Sequence, residues 1–393
     1  MTGYAFLRRG AVGLVALAAL GLGTAAVVSA DTSAEPEPRG ALGVVVGAHS
    51  NMPQPTLEGI AASARDLAVA QQSQLSVVVA DGAPFTFVEP ERLLVDAEEP
   101  AGRAEQREAN RRRIDEAVAT ARARTPETDL LSALILAGRT MADQPGPRTV
   151  VVVDSGLSTS GPMDFRQPGM FDADPQEVVD TLADFGQLPD LKGSSVVFQG
   201  LGDTAPPQQP LDAARRTQLV ELWTAVAEKA GAVVVDIEVS PLSGTPDAGL
   251  PSVRPVAVDP GFSCTPRRLT LSGGGVGFRP GGALLLDPER IAEVLRPYAE
   301  QMKSRGTLIA EVFGRYSEGE PAAVLLLTEQ RGQEVANVLI DLGVPIPQLR
   351  VKGFGSDFPG YVPDRDATGH LVPATAALNR TVILEFTQPV DCA

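Results

Sequence analysis

"TLIAEVFGRYSEGEPAAVLLLTEQRGQEVANVLIDLGV", residues 307–344, decides how the last third of the chain is read. TLIAEVF (307–313) is an apolar run closed by Gly314, and it reads as a strand. A polar loop follows. From about Ala323 to Leu342 apolar residues recur at helical spacing, and this helix carries Leu327, Thr328 and Arg331. Upstream lie short strand signals at LTL (269–271) and VGF (276–278), then a helix from about Pro288 to Ser304. SGGGVG (272–277) sits between those two strand signals rather than before a helix, so it reads as a turn and not a phosphate loop. Downstream come a strand QLRVKGF (348–354), a long loop and a strand NRTVILEF (379–386). The pattern is α+β, a sheet with helices on one face.

The first half alternates differently. Val-rich runs at 41–47, 74–80, 148–154, 194–200 and 231–237 are separated by helical stretches near 56–71, 103–124, 128–142, 175–186 and 211–230. Continuous apolar strands with helices between them predict an α/β fold with a parallel sheet buried on both faces. Ligands of such sheets sit at the strand C-terminal ends. The Pro/Gly-rich stretch 241–263 reads as a linker. The expected layout is thus a leader at 1–30, a polar linker at 31–40, an α/β domain at 41–240, the second linker, and an α+β domain at 264–393.

The leader has Arg8 and Arg9 ahead of an uncharged 20-residue apolar run, Ala11 to Ala30, ending in a small-x-small site. That length suits a cleaved signal peptide or a retained transmembrane signal-anchor, and both place the body of the chain outside the cytoplasm. The net charge of −16 concentrates in the first two thirds, since residues 264–393 hold 13 basic and 15 acidic side chains. No basic patch appears, which excludes nucleic acid as a partner. The two cysteines, Cys264 and Cys392, flank the last domain, and an oxidising compartment predicts a disulfide between them.

Enzyme chemistry finds little support. His49-Ser50 and Asp154-Ser155 fall on loops at one predicted sheet edge. No G-x-S-x-G elbow, P-loop or G-x-G-x-x-G accompanies them. The chain is expected not to be an enzyme and to carry no cofactor.

The motifs of the last domain, taken together from about 265 to 388, resemble the OmpA-like peptidoglycan-associated domain. IAEVFG, LTEQRGQEVANVLIDLGV, VKGFG and NRTVILEF stand in that family's order. The resemblance implies a clamp on diaminopimelate of the peptidoglycan stem peptide. In the family, an Asp after the strand takes the ammonium, and an Arg on the helix takes the carboxylate. Here Arg331 keeps the Arg place, with Thr328 in the Ser place. Gly314-Arg315-Tyr316-Ser317 replaces Gly-His-Thr-Asp, and Glu318 lies one place beyond the expected acid. Asn379 and Arg380 keep two residues of the closing triplet. The peptidoglycan-binding candidates are therefore Arg331, Glu318, Ser317, Thr328, Asn379 and Arg380.

The first domain resembles von Willebrand factor A (vWA) domains, with a vWA/Rossmann-like α/β sheet and a degenerate metal site. Met52, Thr128 and Asp154 match that family's metal loops, but Gly47, His49 and Asn51 stand where Asp, Ser and Ser belong. Asp154, Thr128 and Asn51 make a poor oxygen set for Mg²⁺ or Ca²⁺, so no metal is expected. Together the resemblances imply an extracytoplasmic protein of the bacterial cell envelope, anchored or secreted. It would hold peptidoglycan non-covalently and present the vWA-like domain to an unidentified envelope protein. The alternative they leave is an envelope interaction or assembly protein whose OmpA-like domain has lost peptidoglycan binding.

Overall fold

The first sheet is built from valine. A computed structural model describes residues 40–392 apart from Glu318. The leader and nearly all of the 31–40 linker lie outside the described residues. Strands β1 (Ala41–Val46), β2 (Gln74–Val79), β4 (Arg148–Val153), β5 (Ser194–Gln199) and β6 (Val234–Glu238) pair in parallel. Strand β3 (Phe85–Arg92) adds an antiparallel edge, giving the order β3-β2-β1-β4-β5-β6.

Alternate residues feed opposite faces. Val45, Val150 and Val152 pack with helices α3 (Leu130–Met141), α4 (Pro175–Asp184) and α5 (Ala213–Lys229). Val44, Val46, Val151 and Val153 pack with α1 (Gly59–Ala70) and α2 (Pro100–Thr120).

The second sheet has the order β10-β9-β11-β8-β7. Its strands are β7 (Phe262–Thr265), β8 (Arg268–Leu271), β9 (Ala310–Gly314), β10 (Leu349–Gly353) and β11 (Val382–Phe386). Helices α6 (Pro288–Ser304) and α7 (Pro321–Asp341) cover one face through Ile291, Leu295, Tyr298, Val335 and Leu339. A seven-residue helix, α8 (Pro373–Asn379), interrupts the stretch expected to be a long loop. The strand expected at 276–278 is instead a 3-10 turn, Gly274–Val276, followed by a single bridge between Phe278 and Leu285. Cys264 and Cys392 form a disulfide that closes the ends of this half. Among the described residues, no helix is long and apolar enough to cross a membrane.

Residues 241–263 join the two sheets and also strap the first. Leu242, Leu250, Val253 and Val256 are buried. Asn51 exchanges two hydrogen bonds with the backbone of Val253 (2.8 and 2.9 Å), and Gln208 does the same with Val256 (3.0 and 2.7 Å). The strap thus engages loops that follow β1 and β5, where a parallel sheet would bind ligands.

Gly314 ends β9 against α7 with no room for a side chain. A Cβ there would lie 1.9 Å from the carbonyl oxygen of Thr328. Gly314→Ala is expected to push α7 off the strand and cost about 1–3 kcal/mol, as overpacking does. A chemical denaturation midpoint unchanged from wild type would contradict this close approach.

Candidate functional site

Arg331 reaches from α7 towards the loop at 278–282. Its side chain is 3% exposed. Nε donates to the carbonyl of Gly282 at 2.8 Å, and Nη2 reaches that of Arg279 at 3.5 Å. The guanidinium lies 4.9 Å from the ring centres of both Phe278 and Tyr316. Among the described residues, no carboxylate forms an ion pair with it. Burial pulls its pKa down to about 10, so it remains a cation at neutral pH.

Arg380, just after α8, stands beside it. Its Nε donates to the Ser317 hydroxyl at 3.0 Å, and its guanidinium lies 4.8 Å from the Tyr316 ring centre. Its Nη2 pairs with Glu177 of α4, in the first half of the chain. Ser317 therefore serves Arg380, and Tyr316 is shared by both arginines.

The other candidates hold backbone. The Thr328 hydroxyl donates to the Leu325 carbonyl at 2.8 Å and accepts from the Gly355 amide at 3.1 Å, tying α7 to the loop after β10. The Asn379 amide exchanges bonds of 2.9 and 2.7 Å with the backbone of Val362. Neither is aimed at the arginines through these bonds. Glu318 lies outside the described residues.

The arginines share a cavity of about 50 Å³ with residues from the first half of the chain. Asp172 and Asp174 also line it, at the turn that opens α4. Asp172 is committed elsewhere: its Oδ1 accepts from Arg215 at 2.7 Å and from the Gly274 amide at 2.8 Å. Asp174 caps α4 through Oδ1, which accepts from the Gln176 amide at 2.9 Å. Burial raises the Glu177 carboxyl against the opposing pull of Arg380. The sequence reading missed Asp172, Asp174, Glu177, Phe278 and Tyr316 as site residues. The acids look locally like a helix start, where Asp and Glu are ordinary.

At the strand ends of the first sheet the metal candidates disperse. Asn51 is spent on Val253. The Thr128 hydroxyl donates to the Ala80 carbonyl at 3.2 Å. Asp154 is buried, and its Oδ2 fills the space that a Cβ on Gly47 would need, 2.0 Å away. That oxygen faces His49 Nε2 at 3.9 Å. Burial lifts the Asp154 carboxyl to about 7 and drops the His49 imidazole to about 4. The Ser50 hydroxyl reaches 3.4 Å from the Pro251 carbonyl. No group of three or more His, Cys, Asp or Glu suited to a metal occurs among the described residues.

No family model and no curated protein matches the chain. Solved structures do. The peptidoglycan-associated lipoprotein from Burkholderia pseudomallei is 22% identical, over 31% of this chain and 90% of that one, with a TM-score of 0.25. The periplasmic domain of Helicobacter pylori MotB (residues 78–256) is 17% identical, over 32% and 80%, at 0.26. The OmpA-like domain of FopA1 from Francisella tularensis is 19% identical, over 34% and 82%, at 0.23.

Proposed function

We propose that this is an extracytoplasmic cell-envelope protein that associates non-covalently with peptidoglycan through the Arg331 cavity. The observation that carries the reading is Arg331 itself. A guanidinium that is 3% exposed and without a described acid partner is costly to bury unless an anion arrives. Its planar fork suits a carboxylate. In this reading the C-terminal half is an OmpA-like domain and the stem-peptide diaminopimelate supplies that carboxylate.

The first half is read as a vWA-like interaction module for another envelope protein. The strand order with one antiparallel edge supports that topology, and so does the placing of Met52, Thr128 and Asp154 on strand-end loops. In this reading the module has no catalytic role.

Purified sacculi are expected to sediment the full chain. Arg331→Ala should weaken that capture about tenfold or more, the worth of one charge-assisted hydrogen bond. Equal capture of the variant overturns the reading. Wild type left in the supernatant favours the second reading, an assembly protein that has lost wall binding. The small cavity and the Glu177 carboxylate already on Arg380 speak for that alternative.

A further inference from the structure

The charges around the cavity can be paired off. Arg380 is matched by Glu177, and Asp172 by Arg215. Arg331 and Asp174 remain, and neither has an ion-pair partner among the described residues. Both line the cavity, yet they do not reach each other within 4.0 Å. A buried cation and an acid that line one cavity without pairing are the complement of a molecule carrying both charges. The cavity is also small. About 50 Å³ holds a few waters, not a sugar or a peptide segment.

We infer that the cavity is a composite site for a compact zwitterion, the head group of an α-amino acid. Arg331 takes its carboxylate, and Asp174, from the other half of the chain, takes its ammonium. The acid that the strand-loop-helix motif lacks is thereby supplied about 140 residues upstream, by the turn opening α4. Glu177 on Arg380 and Asp172 on the Gly274 amide pin that turn against the second sheet's half. The amino-acid head would be that of diaminopimelate, either in the wall or free. The inference rests on the reading of the Arg331 cavity as the binding site.

Calorimetry on the full chain with diaminopimelic acid and with pimelic acid tests it. The second has the same carbon skeleton and both carboxylates but no amines. Sacculi sedimentation runs alongside. Wild type should prefer diaminopimelic acid. Asp174→Asn, whose amide still caps α4, should lose that preference about tenfold or more while binding pimelic acid as before. Arg331→Ala should lose both ligands. If Asp174→Asn keeps the preference, or Glu318→Gln loses it instead, the inference falls and the Arg331 site stands. If Arg331→Ala binds both acids as wild type does, the site reading falls and takes the inference with it. Binding of free diaminopimelic acid without capture by sacculi upholds the zwitterion site and overturns wall association.

Discussion

Arg215→Ala is expected to destabilise the folded chain by about 3–5 kcal/mol, the range for removing one partner of a buried ion pair. Arg215 is 1% exposed, in the first turn of α5. Its Nη1 binds Asp172 at 2.7 Å, its Nη2 donates to the Asp259 carbonyl at 3.0 Å, and its guanidinium lies 5.2 Å from the Phe171 ring centre. One side chain thus ties the α4 turn, the strap and α5 together. Its loss leaves the mostly buried Asp172 without a cation. Burial already raises the Asp172 carboxyl despite Arg215, which pulls it the other way.

The charge and the packing can be separated. Arg215→Met keeps most of the volume, and Asp172→Asn keeps an oxygen for the Gly274 amide. Each alone should destabilise. Together they should recover much of the loss, because no unpaired charge is then buried. Urea denaturation of the four chains measures the coupling. Strictly additive single effects would show that the pair does not act together, and that the α4 turn is held by something else.

The frame was legible where local pattern and burial agree. The valine runs of β1, β2, β4 and β5 are buried on both faces, so their sequence is uniformly apolar. β3 escaped because it is a half-exposed edge carrying Pro90 and two glutamates, the composition edges tolerate. α8 escaped because PATAALN is short and bounded by Pro373, with no full turn of periodicity to see. The site divides in the same way. Arg331 and Arg380 stand out in the sequence because they sit in motifs of contiguous residues. Asp174 does not, because its place beside the Arg331 cavity comes from the packing of distant parts of the chain. The Glu177–Arg380 bond joins residues 203 apart, and the Asp172–Gly274 bond residues 102 apart. Nothing local marks which of many acids will face which arginine. The strap reads as a linker in the sequence for a similar reason: Pro and Gly announce irregular backbone but not burial.

Stability against pH should expose the His49–Asp154 pair only when one member is removed. Asp154 is held protonated up to about 7 in the folded chain, against 3.8 ordinarily, by burial. Its contribution is present below about pH 3.8 and is lost as pH rises towards 7. His49 is held neutral down to about 4, against 6.5 ordinarily, also by burial. Its contribution is present above about pH 6.5 and is lost as pH falls towards 4. Between those limits the unfolded chain carries one proton on His49, and the folded chain carries one on Asp154. The proton counts match, so the pair adds almost no slope in the wild type. A tenfold difference in proton affinity between folded and unfolded chains is worth about 1.4 kcal/mol. Asp154→Asn uncovers His49: relative to wild type, stability should fall by about 3 kcal/mol from pH 6.5 to 4. His49→Leu uncovers Asp154: relative to wild type, stability should fall by about 4 kcal/mol from pH 3.8 to 7. The two variants therefore tilt in opposite directions from a common parent. Because neither His49 nitrogen has a hydrogen-bond partner among the described residues, the leucine orphans no buried polar group, and the tilt reports titration alone. Urea midpoints from pH 4.5 to 7.5 for the three chains decide the matter. Three parallel profiles would mean that water or a counter-charge reaches the pair and that burial moves neither group from its ordinary titration range.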